Sequence, residues 1–101
     1  MKNYIYKYEI KLKVAGLLKL GGKLKRILHI AEQGHVDNED SKLMLWAIVE
    51  PASKENSVLH YYINGTGCVI DKEIYEIPDD KCYRQTVLMS SGYVWHCTIC
   101  V

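Results

Sequence analysis

The residues best suited to chemistry in this chain are Cys68, Cys82, Cys97 and Cys100, and His29, His35, His60 and His96. Cys97 and Cys100 form a C-x-x-C, the spacing of a zinc knuckle or a redox pair. Either use requires the two thiols to converge. The intervening Thr98-Ile99 favours a strand, in which positions i and i+3 point to opposite faces. There is no second C-x-x-C. The cysteines therefore read as free thiols in a reducing cytosol, and no metal or cofactor is expected. The histidines lack an H-x-x-x-H spacing and no serine sits in a G-x-S-x-G elbow. No carboxylate pair is isolated in an apolar setting, so an enzyme is not expected.

Binding is better served. Gly65-Thr66-Gly67 resembles a turn in which backbone N–H groups approach an anion, with an ordinary strand-end turn as the alternative. Arg26 and Arg84 offer planar forks suited to phosphate or a guanine edge, where lysine offers a point charge. For Arg84 the alternative is a surface pair with Asp79 or Asp80. With eight tyrosines, two tryptophans and no phenylalanine, every aromatic ring carries a polar handle. That suits stacking on flat ligands or meeting partners, though tyrosines also fill cores with their hydroxyls at the rim.

The elements that must position these groups are strands. From Tyr4 to Val14 the even positions are apolar or aromatic and most odd positions are charged, which is strand periodicity. Leu17–Leu20 reads as a short strand, Gly21-Gly22 as a turn and Leu24–Gln33 as a further strand. Leu17, Leu20, Leu24, Ile27, Leu28 and Ala31 also fall at helical spacing, so a helix over 23–33 is the alternative. The glycine pair opposes a helix through the middle, costing about 2 kcal/mol relative to alanine. Gly34 to Lys42 is a polar loop. Leu43–Val49 is an unbroken apolar run and reads as a central strand buried on both faces. Val58–Ile63 is a strand, Asp71–Lys81 an acidic loop, and Cys82–Met89 with Gly92–Val101 a hairpin turning at Ser90-Ser91-Gly92. About seven short strands give an all-β fold, or a β-rich α+β fold if 23–33 is helical, as a small antiparallel barrel or sandwich. Leu45, Trp46, Ile48, Val87 and Val94 are the expected core.

The 101 residues make one domain, residues 1–101, with 49% apolar and 25% charged content, which argues against disorder. No run of 18 apolar residues and no secretory h-region occurs, so neither a membrane nor export is expected and the location reads as cytoplasmic. The net charge of +1 conceals +7 over residues 1–26 and −6 over the remainder. A duplex binder would be basic overall, so duplex nucleic acid is not an expected partner. The basic segment could meet an anionic ligand, or its lysines could line a solvated sheet face.

Several segments in order carry a resemblance: Tyr6-Lys7-Tyr8-Glu9, Leu45-Trp46-Ala47-Ile48-Val49-Glu50-Pro51, Ile63-Asn64-Gly65-Thr66-Gly67, Gln85-Thr86-Val87 and Tyr93-Val94-Trp95-His96. The chain resembles a family of small bacteriophage accessory proteins of about a hundred residues. It departs from the family pattern in the longer Gly34–Lys42 loop and the acidic Asp71–Lys81 insert. Such proteins often counter host defence. In size and chemistry the chain is similar to oligomeric sponges that sequester cyclic dinucleotide signals of CBASS-type immunity. The resemblance implies a homo-oligomer in the host cytoplasm that holds a cyclic dinucleotide such as cyclic GMP-AMP without cleaving it. It implies Tyr8, Trp46, Gly65, Thr66, Gly67, Arg84, Trp95 and His96 as ligand contacts, with Arg26 as a further cation. Tyrosines of the first and last strands are the candidate contacts of the homo-oligomer. The alternative function is an accessory protein that inhibits a host protein by direct binding.

Overall fold

The computed structural model describes residues 2–34 and 42–101. It contains seven strands: β1 (Tyr4–Ile10), β2 (Ala15–Lys19), β3 (Lys23–Gln33), β4 (Lys42–Glu50), β5 (Val58–Gly65), β6 (Cys82–Leu88) and β7 (Val94–Cys100). One helical turn, α1 (Lys72–Tyr75), and a 3₁₀ turn over Asp79–Lys81 lie between β5 and β6. The strands form two antiparallel sheets ordered β1-β4-β3 and β2-β5-β7-β6. The fold is thus all-β, an unclosed sandwich. The Gly34–Lys42 loop falls almost wholly outside the described residues.

The core lies between the sheets. From the first come Ile10, Ile30, Leu43, Leu45, Ala47 and Val49; from the second come Leu59, Tyr61, Ile63, Val87, Cys97 and Ile99. Alternation along each strand supplies these inward rows. Leu45 and Val87 are core residues as expected, but Trp46 and Ile48 are not. They occupy the outer face of β4, half-buried, while Leu43, Leu45, Ala47 and Val49 fill the inner one. A seven-residue apolar run suggested burial on both faces; only the inner face has a second sheet over it. Val94 likewise points outward and is half-buried.

Two further departures have local causes. β1 ends at Ile10, and Leu12 and Val14 are exposed because the chain is crossing from one sheet to the other, with Lys13 N–H bonded to Lys11 O. Residues 23–33 form a strand, not a helix. Its register against β4 slips at Lys25 and again at Leu28, each an extra residue bulged out of the ladder. Leu24, Ile27 and Ile30 therefore all face the core at intervals of three, which reproduces a helical spacing on extended backbone. The β6–β7 hairpin turns at Ser90-Ser91-Gly92 as expected. Gly92 N–H bonds to Met89 O, Met89 N–H bonds to Tyr93 O, and Gly92 takes φ +94°, the glycine of a bulged three-residue turn.

The edges of the sandwich are joined by side chains. On one side the Tyr8 hydroxyl donates to Leu20 O at 2.8 Å. On the other, where β3 faces β6, the Gln85 carboxamide accepts from Ile30 N–H at 2.9 Å and donates to Ile30 O at 2.6 Å. One side chain thereby replaces a backbone bridge. Near it, Glu32 accepts from Ser90 N–H at 2.9 Å. Toward Leu24 and Ile27 the same seam is open.

Candidate functional site

The open stretch of the β3–β6 seam is a cavity of about 570 Å³. Leu24 and Ile27 from β3, Tyr83 from β6 and Ile99 from β7 form its apolar lining. The bulges of β3 put both β3 side chains there, and strand alternation does the same for Tyr83 and Ile99. Arg26, Asp80 and Lys81 stand at the mouth. Among the described residues neither Arg26 nor Lys81 has a carboxylate within ion-pair distance, so the mouth carries one net positive charge. The Tyr83 hydroxyl donates to Gln85 Oε1 at 2.6 Å, which fixes the ring as a wall. Burial, and secondarily the Cys97 thiol, raises the Tyr83 pKa, so the phenol stays neutral at physiological pH. A volume of this size falls within the range of small-molecule sites, about 300–1,000 Å³.

A second cleft, of about 400 Å³, lies at the far end of the β5–β7 ladder. Gly65 pairs with Trp95, and a Cβ on Gly65 would stand 3.3 Å from the indole and 3.2 Å from Cys68 Sγ, so glycine opens this space. Tyr93 stacks on Trp95 with centroids 5.8 Å apart and planes at 25°. Thr66 Oγ1 lies 2.7 Å from His96 Nε2, and Thr86 Oγ1 lies 3.1 Å from His96 Nδ1, so both ring nitrogens are engaged. The cleft is lined without a charged side chain.

Of the residues singled out from sequence, Gly65, Thr66, Gly67, Trp95 and His96 come together at this end of the second sheet. Arg26 and Trp46 lie on the first sheet, on rows beside each other. Tyr8 faces the core, its hydroxyl held by Leu20 O, and burial followed by Tyr6 raises its pKa. Arg84 is on the outer face of the second sheet. Its guanidinium donates to Ile74 O at 3.0 Å, to Ile77 O at 3.0 Å and to Asp79 Oδ1. It fastens the α1 segment to β6, and those donors are occupied. Tyr83, Gln85 and Lys81 are not among the ligand contacts expected from the sequence. The available signal was Gln85, a polar residue on the inward alternation of β6 between Tyr83 and Val87.

The outer face of the first sheet carries a different feature. Rows Ile5–Ile48–Arg26 and Lys7–Trp46–His29 run across it, with His29 tilted against Trp46 at 6.3 Å. Ile5 is 64% exposed and Leu28 36%. Among the described residues no three His, Cys, Asp or Glu side chains gather as a metal set, and no helix is long and apolar enough to cross a membrane. Cys97 faces the core, where burial pushes its thiol up to about 11. Cys100 points outward, so the C-x-x-C thiols diverge.

A family model described as a domain of unknown function (DUF7352) matches residues 1–99. No curated protein matches the chain. No solved structure matches it either.

Proposed function

We propose that this chain, which belongs to the DUF7352 family, is a binding protein that holds a nucleotide-class anion in the β3–β6 seam cavity and releases it chemically unchanged. The observation that carries the reading is the cavity itself: an apolar floor with the Tyr83 ring as one wall, and Arg26 and Lys81 at the mouth. A base is flat and apolar on its faces, and a phosphate is anionic. The cavity offers each its counterpart, and Arg26 can grip a phosphate through two parallel N–H donors. The resemblance to small phage proteins supports a cyclic dinucleotide such as cyclic GMP-AMP as the ligand and sequestration in the host cytoplasm as the purpose. The reading includes a homo-oligomer in which a second copy covers the open mouth, since a dinucleotide exceeds what one shallow rim can enclose. In it the neutral Gly65–Trp95 cleft takes an uncharged ring face.

A thermal-shift panel of mono-, di- and cyclic dinucleotides tests this. Stabilisation by a cyclic dinucleotide, and its intact recovery after heat denaturation, are expected. Degraded ligand, or no shift with any nucleotide, contradicts the proposal.

A second reading rests on the outer face of the first sheet, where Ile5, Leu28, Trp46 and Ile48 form an apolar strip beside Lys7, Arg26 and His29. Such a strip suits a protein partner with an acidic rim, and the chain would then inhibit by direct binding. Substituting Trp46→Ser and Ile48→Ser separates the two: partner binding is lost under the second reading, and nucleotide binding is retained under the first.

A further inference from the structure

We infer that Cys82 and Cys100 are a vicinal dithiol that exchanges with low-molecular-weight disulfides and closes a disulfide across β6–β7. The C-x-x-C of the sequence pairs Cys100 with the wrong partner, because Cys97 faces the core. The ladder supplies the right one. Cys82 and Cys100 are directly opposite in the β6–β7 register, which runs without a slip from Cys82↔Cys100 to Leu88↔Val94.

The phase of the ladder fixes the spacing. Met89 N–H bonds to Tyr93 O, so hydrogen-bonded pairs fall on odd residues of β6. Cys82–Cys100 is therefore a non-hydrogen-bonded pair, whose Cα atoms stand about 4.5 Å apart. That lies inside the range a disulfide spans, about 4.4–6.8 Å. Both side chains are on the outer face and partly exposed, so a small disulfide can reach them. Burial, and after it the neighbouring Cys82, raises the Cys100 pKa, and the Arg84 guanidinium opposes the rise. Cys68 and Cys97 stand apart, one exposed at the opposite end of the sheet and the other buried.

The reaction with glutathione disulfide balances without another oxidant. One cysteine loses its proton to solvent, and its thiolate attacks a glutathione sulfur. The glutathione S–S bond breaks, and one glutathione leaves as a thiolate that takes up a proton. The second cysteine, deprotonated in turn, attacks the mixed disulfide and expels the other glutathione. Two protein thiols are oxidised and one glutathione disulfide is reduced to two glutathiones. Cys82 and Val101, the residue after Cys100, border the seam cavity, while both thiols stand on the outer face. The exchange chemistry is independent of what the cavity holds.

The test uses the whole chain, incubated with glutathione disulfide, alkylated, digested without reduction and analysed by mass spectrometry. Two thiols are expected to disappear together, with a peptide linking Cys82 to Cys100. Cys82→Ser and Cys100→Ser should each stop at the mixed disulfide. Phenylarsine oxide, which bridges neighbouring thiols, should bind the unsubstituted chain once and block the cross-link. That keeps the test decisive if a variant fails to fold. Separate glutathionylation of Cys82 and Cys100 in the parent, a cross-link through Cys68 or between chains, or no uptake of the arsenical would overturn the inference.

Discussion

Replacing Gln85 with leucine should destabilise the fold far more than its half-buried position suggests. The carboxamide closes the β3–β6 seam by accepting from Ile30 N–H and donating to Ile30 O, and Ile30 is fully buried. Leucine satisfies neither group. A buried backbone group left without a partner costs about 1–3 kcal/mol, so two cost roughly 2–6. The Tyr83 hydroxyl also loses its acceptor but can turn toward solvent at the cavity. The leucine side chain returns roughly 1–2 kcal/mol by burial. The net loss spans about 0–5 kcal/mol and centres near 2.5, a large share of a total stability of about 5–15. At about 4–8 °C per kcal/mol, Tm should fall by roughly 10–20 °C near the middle of that range. Urea denaturation followed by tryptophan fluorescence measures the loss, with an unchanged m-value expected because the exposed area on unfolding hardly changes. Gln85→Glu retains the acceptor but turns a second oxygen toward Ile30 O, so it should also destabilise. If Gln85→Leu stays within about 0.5 kcal/mol of the parent, as an ordinary surface substitution does, the seam is not held this way.

Other expectations follow from the same contacts. Arg84→Ala frees Ile74 O, Ile77 O and Asp79, so limited proteolysis should cut within residues 72–81, where the parent resists. Cys97 makes the fold alkali-sensitive. Its thiol ionises near 9 when unfolded and about 11 when folded, so the unfolded chain releases the proton first. Its contribution to stability is constant below pH 9 and is lost as pH rises toward 11, and Cys97→Ala should flatten that part of a stability–pH curve. Gly65→Leu fills the space beneath Trp95, so fluorescence of the indole should shift and any ring-shaped ligand of the second cleft should be excluded.

The strands were readable because most of them alternate cleanly. The polar–apolar rhythm of Tyr4–Ile10 assigns an inner face from residue types alone, whereas β6 and β7 put Leu88 and Val94 outward and Gln85 inward. The rhythm fails in β3 for a physical reason: two bulges convert a period of two into a period of three, and a single sequence does not distinguish that from a helical face. Trp46 and Ile48 misled differently. An apolar run announces that water is excluded but not which face is covered, and that depends on where the other sheet ends. Five candidate site residues converge because β5 and β7 are paired in register, which brings Gly65 to Trp95 across thirty residues. The seam cavity was hidden because Arg26 and Tyr83 belong to strands that are not hydrogen-bonded neighbours, and only the closure of the sandwich brings them together. Arg84 carried the right chemistry for an anion, but it spends that capacity on the carbonyls of its own chain.

Calorimetric titration of cyclic GMP-AMP into the parent and into Arg26→Ala addresses the ligand-holding claim most directly. Arg26 is exposed on an edge strand at the cavity mouth, so its removal should leave Tm nearly unchanged. Losing a charge-assisted contact of about 1.5–3 kcal/mol should weaken binding by roughly ten- to a hundredfold. Saturable binding by the parent, that loss in Arg26→Ala, and unaltered nucleotide recovered from both are expected. Equal affinity in the two proteins, or no heat of binding in either, would contradict the claim.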